Sequence, residues 1–104
     1  MYRGTTPTLI FNVNLASEIL ADLAEAYITI QGNNVDTLEF AMENIAIDSV
    51  NKTMSIKLTQ EQTLAYSPKA MLNMQIRCKD SVGNAYACNI VSCSIEKILK
   101  DGVI

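Results

Sequence analysis

The thiols of Cys78, Cys88 and Cys93 are the strongest nucleophiles in this sequence, and no histidine stands anywhere in the chain to activate them. A cysteine nucleophile needs a neighbouring base or a helix N-terminus to hold it as thiolate. Neither is visible near the three thiols. The missing imidazole also removes Ser-His-Asp and Cys-His catalysis, together with the commonest zinc ligand. Nine residues separate Cys78 from Cys88 and four separate Cys88 from Cys93, so no pair has the CxxC spacing that pinches a metal between two thiolates. An odd number of cysteines fits reduced core thiols better than a disulfide framework. The residues therefore predict no catalytic site, no metal and no cofactor, and a protein that is not an enzyme.

Carboxylates are the remaining source of acid-base chemistry. Glu39 with Glu43, and Glu18 with Asp22, are the close pairs, but the first brackets a strand end and the second lies on one exposed helical turn. Asp36, Asp48, Asp80 and Asp101 sit in or beside turns, where aspartate caps its own backbone, and none has calcium-loop spacing. Gly4, Gly32, Gly83 and Gly102 are isolated turn glycines, outside any phosphate-binding motif. Asn51, Lys52 and Thr53 match the glycosylation tripeptide, a pattern too short to carry weight.

Tyr27 is the candidate contact residue. It faces away from Ala26, Ile28 and Ile30, and a rigid amphipathic ring gains contact area at small entropic cost. Arg77 and Lys79, with Lys69 nearby, form the one compact basic grouping, on the outer face of a strand.

Positioning these residues falls to short strands. Leu9, Phe11 and Val13 alternate with polar residues over 8–14, Ile10 being the only defect; Ala26, Ile28 and Ile30 do so over 26–31, and Leu38, Phe40 and Met42 over 35–42. Gly32, Asn33 and Asn34 predict a hairpin turn between the last two. A short 45–48 segment and a turn at 49–52 lead to a strand at 53–59 with Met54, Ile56 and Leu58 inward. The cleanest alternation is 70–79, with Leu72, Met74, Ile76 and Cys78 inward. After a loop at 80–84, residues 85–98 change parity at 90 and 91, which predicts a bulge or a change of sheet.

Two helical interruptions are expected. Leu15, Ile19, Leu20 and Leu23 are spaced for one or two turns, with alanines extending the pattern through residue 26. Thr59 and Gln62 form a capping box opening a turn over 60–65, ended by Ser67 and Pro68. The sum is one all-β domain over residues 1–104, an antiparallel two-sheet sandwich of about seven strands, with a small open barrel as the alternative.

Of the 104 residues, 49% are apolar and 18% charged, enough apolar surface for one core. The net charge of −3, from 11 acids and 8 bases without blocks, disfavours nucleic acid, which needs a basic face. No apolar run is long enough to span a membrane, and MYRGTTPT lacks the apolar stretch of a secretion signal.

Three stretches together, RGTTPTLIFNV (Arg3 to Val13), LTQEQTLAYSP (Leu58 to Pro68) and ILKDGVI (Ile98 to Ile104), resemble small structural proteins of phages and prophages of Gram-positive bacteria. The resemblance covers nearly the whole chain. It implies an immunoglobulin-like sandwich similar to the N-terminal domain of phage upper-baseplate proteins, and a tail or baseplate role in a virion assembled in the bacterial cytoplasm. The partners implied are other virion proteins or copies of the chain itself, with the KDGVI and MYRGTT ends as docking arms. No family residue carries a role onto this sequence. The alternative is a carbohydrate- or surface-binding module, for which Tyr2, Tyr27, Tyr66 and Tyr86 are the only tyrosines and no tryptophan exists.

Overall fold

Period-two patterning becomes strand in the computed structural model of the chain, which describes residues 1–32, 37–67, 70–88, 90–94, 100 and 102–104. The elements are β1 (Thr8–Asn12), α1 (Ser17–Ala21), β2 (Leu23–Gly32), β3 (Leu38–Phe40), β4 (Ala46–Asp48), β5 (Thr53–Lys57), α2 (Gln60–Leu64), β6 (Met71–Asp80), β7 (Ala85–Ala87) and β8 (Val91–Ser94). A 3-10 helix, Met42–Asn44, joins β3 to β4.

The strands form two antiparallel sheets, one in the order β1-β5-β4 and the other β3-β2-β6, with β7 and β8 both on the free side of β6. No barrel closes. Lettered as an immunoglobulin sandwich, β1 to β6 take the places of B, C, C′, D, E and F, and β7 with β8 takes the place of G. Strand A has no counterpart among the described strands. Eight strands thus fill the seven expected positions, because one edge strand is interrupted.

That interruption lies where the parity changes. Arg77 pairs with Ala87 and Met74 with Val91, so two residues of β6 face three of its partner, and the register slips by one. At the slip the Cys88 N–H donates to the Ile76 carbonyl at 3.0 Å, while the Ile76 N–H meets the Cys88 Sγ at 3.1 Å. The Gln75 amide donates to the Cys88 carbonyl at 3.0 Å. A second slip falls between Leu23 and Glu25, at the start of β2.

β2 and β6 are the longest strands and pair from Glu25 and Lys79 to Gly32 and Leu72 without a break, Ile28 lying opposite Ile76. Their inner faces bury Ala26, Ile28, Ile30, Leu72, Met74, Ile76 and Cys78 against Met54, Ile56 and Leu58 of the smaller sheet and its continuation. Each large apolar side chain so buried contributes roughly 1.5–3 kcal/mol. Leu9, Phe11 and Val13 pack partly buried against this core while Ile10 points to water, as its defect in the alternation predicts. The molecule is long for its mass, with extents of 47 × 23 × 19 Å.

Three local expectations are corrected. The helical pattern does not reach residue 26: α1 ends at Ala21 and β2 starts at Leu23, because pairing with β6 buries Leu23 and Ala26 and overrides the weak helix preference of alanine. β3 stops at Phe40, and Met42 opens the 3-10 helix instead of extending the strand, though its side chain still packs partly buried against the core. Beyond β7, Cys88, Ile90 and Val91 are exposed despite their apolar parity, Cys88 and Val91 lining an open concavity with Phe11 and Val13 where packed core was expected. The Asn33–Asn34 turn, Pro68, and the strand expected over 95–98 lie outside the described residues.

α2 forms as predicted. The Thr59 Oγ1 accepts from the Gln62 N–H at 3.1 Å, and the Thr59 N–H donates to the Gln62 Oε1 at 2.8 Å. The Thr63 hydroxyl, fully buried, donates to the Thr5 carbonyl at 2.9 Å and ties the helix to the N-terminal segment. Arg3 closes the other end, its Nε donating to the Tyr66 carbonyl at 2.7 Å and its Nη2 to the Leu64 carbonyl at 2.9 Å. A cation on the last carbonyls of a helix satisfies acceptors that have no partner within it.

Candidate interaction surface

Register places side chains of β2, β3 and β6 in rows on the outer face of the larger sheet. Glu25 stands opposite Lys79, Tyr27 opposite Arg77, and Thr29 between Glu39 and Gln75. All of these but Gln75 line a shallow recess of about 340 Å³. Tyr27, 36% exposed, occupies its centre, so the ring singled out in the sequence lies on a solvent-facing surface. The four charged side chains Glu25, Glu39, Arg77 and Lys79 are exposed, and none forms an ion pair or side-chain hydrogen bond with another described residue. The alternation within each strand marks these residues as outward. What it does not reveal is that β2 and β6, about fifty positions apart in sequence, lie side by side and bring two acids and two bases around one tyrosine.

A second concavity of about 620 Å³ opens between the β7–β8 edge and the edge of β1 that no described strand pairs. Phe11, Val13, Leu15, Ile76, Tyr86 and Val91 supply much of its wall, and no charged side chain lines it. Val13 donates its N–H to Lys52, and Pro7 accepts from Leu58, so odd positions of β1 turn their backbone groups toward β5. The N–H and C=O groups of Thr8, Ile10 and Asn12 consequently face the open edge.

The thiols do not share one environment. Cys78 is buried, and burial, with lesser effects from Cys88 and Asp80, pushes its thiol up from the ordinary value. Cys93 is half-buried and raised by burial, while Cys88 is exposed at the strand slip. Cys78 is therefore a fully buried core thiol, Cys93 packs half-buried against the core, and Cys88 departs from the core-thiol expectation. Among the described residues no group of three or more cysteine, aspartate or glutamate side chains is arranged to hold a metal ion.

Asp80 does what a turn aspartate is expected to do. Its Oδ1 accepts from the N–H groups of Val82 and Asn84 at 3.1 and 2.8 Å, and its Oδ2 from the Asn84 amide and the Tyr86 hydroxyl at 3.2 and 3.3 Å. Burial alone would raise its carboxyl, but these donors, Asn84 foremost, hold it below the ordinary value. Asp48 caps the β4–β5 turn, accepting from the N–H groups of Asn51 and Val50 at 3.0 and 3.1 Å. Asp36 and Asp101 lie outside the described residues. Of the acidic pairs, Asp22 is taken up by the Ser81 hydroxyl at 2.6 Å, Glu18 stays on an exposed turn, and Glu39 and Glu43 are exposed on separate elements.

The tyrosines do not assemble into a shelf. Tyr66 is wholly buried, Tyr86 bonds Asp80 at the inner face, and Tyr2 is exposed at the far end of the chain. The expected docking arms are held on the body: the Met1 amino group donates to the Ser94 carbonyl at 3.0 Å, and Ile104 exchanges two hydrogen bonds with the Gln60 side chain. Arg3 is a structural residue that sequence reasoning did not single out, and Tyr66, named there only as a tyrosine available for glycan stacking, is a core residue.

Fold and surface together define a small antiparallel β-sandwich with a mixed-charge sheet face. Compared with protein-family models, curated proteins and solved structures, the chain matches none. No helix among the described residues is long and apolar enough to cross a membrane.

Proposed function

We propose that this protein is a non-enzymatic structural or assembly component of a phage or prophage virion, from the tail or baseplate, working through protein-protein contacts. The observation that supports it is the outer face of the larger sheet, where a half-exposed tyrosine is surrounded by four charges that have no ion-pair partner among the described residues. Interfaces are enriched in tyrosine and arginine, and charges left unpaired on a rigid sheet can choose and orient a partner. The three stretches that resemble phage structural proteins supply the biological setting. Other virion proteins and further copies of the chain are the partners this reading expects.

Co-expression with the products of the adjacent genes, followed by co-purification, tests the reading. A stable complex with a tail or baseplate protein is the expected result. Neighbouring genes unrelated to virions, together with no complex, would overturn it.

A further inference from the structure

We infer that the outer face of the larger sheet is self-complementary and pairs with the same face of a second copy about a two-fold axis running along β2 and β6. The inference rests on the protein-contact reading above and names its partner. The geometry follows from register. β2 and β6 are neighbours, and the rows across them are Glu25 with Lys79, Tyr27 with Arg77, and Thr29 with Gln75. A two-fold axis that lies between the two strands and parallel to them sets β2 of one copy over β6 of the other and keeps each row in place.

Every row then meets its complement. Glu25 faces the second copy's lysine at position 79, Tyr27 faces the guanidinium from position 77, and Thr29 faces the amide from position 75. The symmetry repeats each contact, so three rows give six. Aligned sheets pack about 10 Å apart, a gap that facing long side chains fill from both sides. An arginine over a tyrosine ring adds a cation-π contact at the centre.

Two further observations favour a copy over another partner. Glu25 and Lys79 lie directly opposite each other on adjacent strands and still form no ion pair with each other or with any other described residue. The chain as a whole carries a net charge of −3, which repels copies, whereas this face balances Glu25 and Glu39 against Arg77 and Lys79. Copies can approach most easily here. Because the face is only four strands wide, at about 4.8 Å per strand, association belongs to the weak, salt-sensitive class.

Sedimentation equilibrium from about 10 μM to 1 mM, at low and high salt, tests it. The wild-type chain is expected to dimerise reversibly and more weakly as salt rises. Lys79→Glu sets two acids against each other twice per dimer and weakens association at least about tenfold. The double variant Glu25→Lys with Lys79→Glu restores it, and an equimolar mixture of the Glu25→Lys and Lys79→Glu single variants associates where neither does alone. Circular dichroism melts confirm that each variant is folded. A wild-type chain monomeric throughout, or a dimer indifferent to Lys79→Glu or not restored by the double exchange, overturns the inference. A monomer that still captures a baseplate protein defeats this inference and leaves the proposed function standing; a charge-paired dimer from a non-virion gene neighbourhood does the reverse.

Discussion

Tyr66 and Gly32 show how one side chain decides its surroundings. The Tyr66 ring lies against Gly32 at the end of β2, so closely that a Cβ there would sit 2.8 Å from Cε1 and 3.1 Å from the Leu72 Cδ2. Gly32→Ala must move a buried ring, and it is expected to destabilise the fold by roughly 1–3 kcal/mol in urea denaturation. The Tyr66 hydroxyl is buried with no hydrogen-bond partner among the described residues, which costs it the solvation it had in the unfolded chain. Tyr66→Phe removes that penalty while keeping the ring, so a gain on the order of 1 kcal/mol is expected in the same measurement. A loss would show that the hydroxyl is satisfied in solution. The sequence reads Gly32 as a turn glycine, whereas the structure pairs it with Leu72 as the last residue of β2, outside the positive-φ region. The reason the structure gives for glycine there, the ring from a residue thirty-four positions away, needed the fold.

At the scale of elements, α2 is too short to stand alone and is held by what surrounds it. Its capping box satisfies two backbone N–H groups at one end, and Arg3 satisfies two carbonyls at the other. Thr59→Ala is expected to cost about 1 kcal/mol, and Thr59→Ser much less, as read from denaturant midpoints. The two ends differ in legibility for a physical reason. A capping box is local, three residues apart, and Thr59 with Gln62 announces it. Arg3 reaches across more than sixty residues, and nothing in the residues around it marks the destination. The same contrast runs through the strands: the inward and outward faces of β1, β5 and β6 follow from period-two alternation, whereas β2 extends further than its pattern because β6 supplies a partner along its whole length. Tyr27 could be recognised as outward-facing; Arg77 as its neighbour could not.

For the molecule as a whole, acid stability follows from the turn aspartates. Asp48 is held below its ordinary value of 3.8, first by the N–H and side-chain amide of Asn51, and Asp80 is held below it by its four donors against the opposing effect of burial. A carboxyl lowered in the folded state binds its proton more readily in the unfolded chain. The stability these groups contribute is therefore complete above the ordinary carboxylate pKa, and it is lost as pH falls through the lower folded values. Urea midpoints should be flat with respect to these two groups above about pH 5 and fall below about pH 4. Asp80→Asn should flatten part of that acid limb.

The proportions of the sandwich bear on how any of this is measured. A radius of gyration of 14.7 Å exceeds the roughly 13 Å expected for a compact chain of this length. A rod-like particle meets more friction than a sphere of equal mass, so a single copy passes a sizing column early and mimics a heavier species. Elution position overstates the mass of a single copy, and methods that weigh the particle independently of its outline count the copies directly.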